Sequence, residues 1–369
     1  MSRGRPKGSK NKLVPLSKES EEKVKKGLQE AKEGKFISEK EMISEKLLEE
    51  RKEEKNKEEI NPNLKRTVND LAKQFGHEVI HFASEEPEKE RIPSEIEALD
   101  RLIMGFPEGA FSILWGGTGS TKTTAALKTI AKAQSLGKTC FFIDKEHSFD
   151  KEWAKKNGVD LDKLLLGTNY KTAEEAMDVA IRLCNDKVVD VIVLDSVQAL
   201  SPKGEQVDKK KIRSIADDEM GLLARKLSKF FRIGGHKVYK GKVTFILIAQ
   251  TRVDLGQFIK LETLSGGHAL SHWATLIIKA YRAGKADAPH YKFPIKSKNN
   301  EGKEETKEKS FPIGFQICYR LEKKKISYCA PEKTETRQNF YHEFGFRKPT
   351  NEEIKNLYAE WIDFEESTE

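Results

Sequence analysis

From about residue 92 the chain alternates short apolar runs with amphipathic stretches. AFSILW (110–115), CFFID (140–144), VDVIVLD (189–195) and VTFILIA (243–249) are nearly continuous in apolar residues, and polar residues come directly after each. Short runs without alternation predict strands buried on both faces. TTAALKTIAKAQ (123–134) carries helical spacing and separates the first two runs. Strands separated by helices predict a parallel sheet with helices on both faces, an α/β fold. Upstream, NLKRTVNDLAKQFG (63–76) spaces Leu64, Val68, Leu71 and Phe75 at helical intervals and stops at Gly76. A short strand, VIHFA, is expected at 79–83. Residues 284–310 are polar and Lys/Glu-rich, a loop or hairpin, before a strand FPIGFQICY (311–319).

Charge adds a different kind of segment. Residues 1–18 hold six basic residues and no acid, and 19–60 are mostly Glu and Lys. Such a stretch cannot bury a core and reads as disordered or as a solvated charged helix. The whole chain carries a net charge of +8, with a pI near 9.0, which suits a polyanionic partner such as nucleic acid. Cys140, Cys184, Cys318 and Cys329 lack metal-binding spacing and read as reduced thiols of an intracellular, cytoplasmic protein. No signal peptide or membrane-spanning apolar run is evident, so no membrane partner is expected.

GGTGSTKTT (116–124) comes after the first apolar run and opens the helix. The phosphate-binding loop pattern is Gly, four residues, then Gly-Lys-[Ser/Thr]. Gly116, Lys122 and Thr123 satisfy it, but Thr121 stands where the second glycine belongs. Gly116, Gly117 and Gly119 allow a tight turn with N–H groups aimed at phosphates, and the helix start adds its positive end. Thr118, Ser120, Thr121 and Thr124 complete the candidate contacts. In this reading the ligands are ATP and Mg²⁺: Lys122 reaches the β- and γ-phosphates and Thr123 holds the metal.

The other strand ends carry matching chemistry. Asp195 closes VIVLD and suits a Mg²⁺-holding carboxylate, or is an ordinary strand-end Asp. Glu146, just past CFFID, suits a base that deprotonates the attacking water, or is a surface glutamate. Gln250, after VTFILIA, suits a γ-phosphate sensor, or is a loop amide.

Together these stretches resemble the RecA family of recombinases. FFIDKEHSFDKEWAKKNGVDLDKLLLG (141–167) resembles the family segment with the catalytic glutamate and adenine contacts. VDVIVLDSVQALSPKGE (189–205) resembles its metal-binding strand, and MGLLARKLSKFFR (220–232) the helix after the first DNA-binding loop. LIAQTRVDLGQFIKLETLSGGHAL (247–270) resembles the second DNA-binding loop. Members of the phage UvsX type also lack the sixth-position glycine, so the resemblance implies that Thr121 is tolerated if its side chain points away from the phosphates.

The resemblance implies further roles. Glu146 would be the general base, with Lys122 and Gln250 beside it in catalysis. Asp150 would contact adenine or ribose, and Trp153 would stack on adenine, or be a core tryptophan. Lys296 and Lys298 would complete a neighbouring protomer's ATP site, or belong to a charged loop. Arg213 in the first loop, Arg225 and Arg232 on the helix, and Arg252, Phe258, Gly266 and Gly267 in the second loop would bind DNA. Arg3 and Arg5 lie in RGRPKGSKNK, which resembles an AT-hook or is a general basic tail. The implied activity is a DNA-dependent ATPase that forms a filament on single-stranded DNA and pairs it with a homologous duplex. A single-strand-binding or mediator protein would be a further partner, and a bacterial or phage-infected cell the setting. A hexameric helicase on the same core is the alternative. The expected divisions are a charged tail (1–60), a helix–strand oligomerisation segment (61–90), a RecA-like ATPase core (91–330) and a short C-terminal segment (331–369).

Overall fold

The computed structural model describes residues 61–205, 221–253, 262–264, 268–284, 287–298 and 304–358. Contacts divide the chain into two units, Met1–Pro87 and Glu88–Glu369, which are taken separately.

The described part of the first unit is one helix and a turn. Helix α1 (Pro62–Phe75) starts where Asn61 Oδ1 accepts from Asn63 N, with Pro62 in the first turn, where its missing N–H costs nothing. It ends at Gly76, as the sequence predicts. The expected strand at 79–83 does not form. A turn occupies 77–80 and a 3₁₀ turn Ala83–Glu85. A strand needs a partner ladder, and among the described residues none pairs with this segment. Leu64, Phe75 and Val79 are exposed.

In the second unit the strands are β1 (Arg91–Ile92), β2 (Phe106–Pro107), β3 (Ala110–Gly116), β4 (Cys140–Asp144), β5 (Leu164–Gly167), β6 (Val191–Asp195), β7 (Thr244–Val253), β8 (Glu262–Leu264), β9 (Leu276–Arg282), β10 (His290–Lys298), β11 (Glu304–Pro312), β12 (Gly314–Lys324) and β13 (Glu335–Tyr341). The helices are α2 (Glu97–Ile103), α3 (Lys122–Ser135), α4 (Lys151–Lys156), α5 (Ala173–Asp186), α6 (Leu222–Gly241) and α7 (His268–Trp273), with a further helix at 351–358.

The main sheet runs β13-β12-β9-β3-β7-β6-β4-β5. From β9 to β5 the pairs are parallel; β12, β13 and the short β8 are antiparallel. Strands β3, β4 and β6 are buried along their whole length, which is why their sequences are continuously apolar. One face is covered by α2 and α3. The small residues Ala125, Ala126 and Ala133 let α3 lie close to the sheet beside Leu127 and Ile130. The other face is covered by α5 and α6, where Phe111 packs against Phe230, Phe231 and Phe245 at ring separations of 4.9–5.9 Å. This is the mostly parallel α/β sheet that the hydrophobic pattern predicts.

The C-terminal side departs from the expected divisions. The strand expected at 311–319 is broken at Ile313, which separates β11 from β12 and donates its N–H to Pro289 O. Past 330, β13 extends the main sheet, so residue 330 is not a boundary of the core. Only Phe340 and Tyr341 of β13 are buried, so its sequence lacks a strong apolar signal. The expected hairpin within 284–310 is β10–β11, in register from His290↔Pro312 to Lys298↔Glu304.

Candidate functional site

The parallel strands deliver their carboxyl ends, and with them the polar residues, to one edge of the sheet. At the end of β3 the chain turns into α3 through residues 116–121. Gly116 has no substitute here: an added Cβ would sit 1.9 Å from Ala280 O of the neighbouring strand. Gly119 turns with φ +71°, and its carbonyl accepts from Arg282 Nε at 2.9 Å. A peptide's C=O and N–H point in opposite directions, so the Ser120 N–H points away from Arg282.

Thr121 adopts φ 59°, the left-handed conformation for which glycine is usual. For a side chain with a Cβ this costs about 1–2 kcal/mol. Its Oγ1 is buried and faces the hydroxyl of fully buried Tyr319 on β12, short of a well-formed hydrogen bond. The backbone thus keeps the conformation the loop needs, and the hydroxyl is turned into the protein.

Lys122 Nζ donates to Gly116 O (3.0 Å), Gly117 O (2.8 Å) and Ser120 Oγ (3.2 Å). Burial lowers its pKa, against the attraction of Asp195 and Glu146. Thr123 Oγ1 donates to Asp195 Oδ2 at 2.6 Å. Burial, with the Glu146 charge nearby, pushes Asp195 up to about 6; the Thr123 hydrogen bond and Lys122 oppose this. A hydroxyl and a carboxylate in contact, next to a lysine, form a hard oxygen donor set suited to Mg²⁺ on a phosphate. The residues present fit that group.

Glu146 sits on a loop that Asp144 shapes by accepting from Ser148 N (3.2 Å) and Phe149 N (3.0 Å). Its Oε1 accepts from Gln250 Nε2 at 2.8 Å and from the Ser196 hydroxyl. Gln250 N in turn donates to Gln198 Oε1 at 2.8 Å. The ends of β4, β6 and β7 therefore meet on one carboxylate. Lys122, Thr123, Glu146, Asp195 and Gln250, far apart in sequence, converge. Ser196 and Gln198 lie within the stretch 189–205 that resembles the family segment, but the sequence reading gives neither a role; their position just past a strand-end aspartate is the signal that could have found them.

Asp150 caps α4 by accepting from Trp153 N (3.0 Å). Trp153 is half-buried; its Nε1 donates to Thr124 Oγ1 (3.1 Å) and its ring packs against Phe340. Trp153 thus lies beside the start of α3, and Asp150 holds the first turn of the helix that carries it. Arg225 and Arg232 are exposed on α6. Arg252 lies on β7 opposite Thr263. Lys296 and Lys298 lie on β10, opposite Thr306 and Glu304. Arg3, Arg5, Arg213, Phe258, Gly266 and Gly267 fall outside the described residues.

Sequence reasoning also misses three cations. Lys279 and Arg282 on β9 and Arg320 on β12 line, with Gly117, Thr118, Ser120 and Tyr281, a cavity of about 550 Å³ against the loop. No helix among the described residues is long and apolar enough to cross a membrane.

Among solved structures, the chain is similar to one titled "Crystal structure of the RadB recombinase", with 17% identity and a TM-score of 0.49 over 70% of this chain and 100% of that one. A family model described as the RecA N-terminal domain matches residues 62–312, more than half of the chain and all of the strand-end chemistry above. The chain belongs to the RecA family.

Proposed function

We propose that this protein is an ATP-dependent DNA recombinase that assembles on single-stranded DNA and pairs it with a homologous duplex. The observation that carries the reading is the joint hold of Gln250 and Ser196 on Glu146. Gln250 lies on β7, whose far end leads to the segment of the second DNA-binding loop. One hydrogen bond thus links the general base to the strand entering that loop, a two-site coupling through a switchable contact.

In the proposed reaction Lys122 exchanges its carbonyl partners for the β- and γ-phosphates. Glu146 takes the proton of the attacking water at Oε1 or Oε2 once Gln250 turns toward the terminal phosphate. Thr123 and Asp195 would hold Mg²⁺, which supplies charge neutralisation on the phosphates. Asp150 and Trp153 would border the adenosine end. Exposed Arg225 and Arg232 on one helix support contacts to phosphates rather than bases, with homology tested by base pairing. The exposed Leu64, Phe75 and Val79 support a role for 61–90 in filament contacts, with 79–83 gaining its partner strand from a neighbour. Lys296 and Lys298 would then reach the neighbour's nucleotide. The threonine at the sixth loop position supports a place near the phage-type members, in a bacterial or phage-infected cell.

The test is joint-molecule formation with ATP, Mg²⁺, a single strand and a duplex. Products only with the matching duplex, and none with Glu146→Gln, are expected. Strand displacement regardless of sequence would replace the recombinase with a helicase.

A further inference from the structure

Two buried hydroxyls face one another at the phosphate loop, and neither makes a well-formed hydrogen bond. One is Thr121 Oγ1 at the turn into α3, the other Tyr319 Oη on β12. Tyr319 is fully buried among the apolar side chains on the sheet face that carries α3. It pairs with Ala280 of β9, whose carbonyl closes off Gly116, so its phenol reaches the loop from the strand beyond. Burial raises the phenol above its ordinary value and keeps it a neutral donor. A phenol buried without a good partner is costly, and a phenylalanine would fill nearly the same space without that cost. Core packing alone therefore does not account for the hydroxyl.

The loop does. Thr121 stands at φ 59°, and its side chain makes no cap for α3. Lys122 Nζ ties the loop to itself through Gly116 O, Gly117 O and Ser120 Oγ. In the proposed reaction Lys122 leaves the two carbonyls for the phosphates. Two side chains from the sheet then still hold the loop from behind. Arg282, lying 3.9 Å over the Phe315 ring, keeps Gly119 O. Tyr319, four residues along β12 from Phe315 and so on the same face, meets Thr121. We propose that Tyr319 is a positioning residue of the nucleotide site: it takes the Thr121 hydroxyl, keeps it out of the phosphate cradle and so lets a threonine stand at the sixth loop position. The inference rests on the reading of residues 116–124 as a nucleotide site.

The test uses the full-length protein, with calorimetric titration of ADP·Mg²⁺ and of a non-hydrolysed ATP analogue with Mg²⁺. Tyr319→Phe, which removes one oxygen and no carbon, is made in the wild type and on top of Thr121→Gly and of Thr121→Val. The valine keeps the branch and loses only the hydroxyl. In the wild type Tyr319→Phe should weaken both nucleotides on the order of tenfold, since both place a phosphate in the loop and the Thr121 hydroxyl is left without its partner. On top of either Thr121 substitution it should change affinity less than about twofold, the mark of two groups that act as a pair. Melting temperatures are recorded for every variant. A tyrosine that only packs the core would lower them equally in all backgrounds with nucleotide affinity unchanged, and that result would overturn the proposal. An equal loss of affinity in all backgrounds would overturn it too, because Tyr319 would then act without Thr121. A loss that vanishes with Thr121→Gly but persists with Thr121→Val would place the effect in backbone strain and not in the hydroxyl, again overturning it. Absence of any nucleotide binding by the wild type would remove the nucleotide site itself, and the role of Tyr319 with it.

Discussion

Asp195→Asn should make the nucleotide-free protein more stable while abolishing its Mg²⁺-dependent nucleotide binding. Asp195 is 2% exposed, and its carboxyl rises from the ordinary 3.8 to about 6. For a carboxyl raised by folding, the native state binds protons more tightly than the unfolded chain. Stability is then full below about pH 4 and falls as pH climbs toward 6. Above that window the ionised group costs about 3 kcal/mol relative to an unperturbed aspartate. Asparagine removes that cost and keeps an oxygen for the Thr123 hydroxyl. It also removes the attraction on buried Lys122, which offsets part of the gain. The net at pH 8 should be about 1–3 kcal/mol, which is roughly 1–4 °C in melting temperature for a chain of this size. The assay is thermal unfolding of both proteins at pH 4 and pH 8, without Mg²⁺ or nucleotide. The difference should grow with pH. Mg²⁺ and an ATP analogue should then raise the melting temperature of the wild type only. A difference that is the same at both pH values, or a variant less stable at pH 8, would refute the reasoning.

Thr121→Gly should leave nucleotide affinity within about threefold, since the side chain faces Tyr319 and not the phosphates; a tenfold tightening would mean that Thr121 distorts the loop. Gln250→Ala should lower ATP turnover at least about tenfold with ADP binding unchanged, measured by phosphate release and titration; equal turnover would separate Gln250 from the Glu146 step. Cys140 and Cys184, both pushed up to about 12 by burial, should resist a thiol reagent at pH 8 in the native protein and react after denaturation; rapid labelling of both in the native state would contradict the packing.

The sequence by itself determined the central strands, the loop and the order of strand-end polar residues. Continuous apolar runs such as CFFID and VIVLD leave buried parallel strands as their plain reading, and such strands bring the residues just beyond their carboxyl ends to one edge. Edge elements were not legible. In β13 only two residues are buried, and at 79–83 a strand-like run has no ladder to join among the described residues. The tertiary structure alone decided which polar groups touch. Ser196 and Gln250 lie 50 and 104 residues from Glu146, the carboxylate they share. Thr121 in the left-handed conformation is meaningful only because Tyr319 lies across from it. The three cations of β9 and β12 carry no motif, since they are brought to the loop by strand register across the sheet. Local pattern records burial and turn geometry; contacts across a parallel sheet depend on where distant strands end, which no short stretch of sequence encodes.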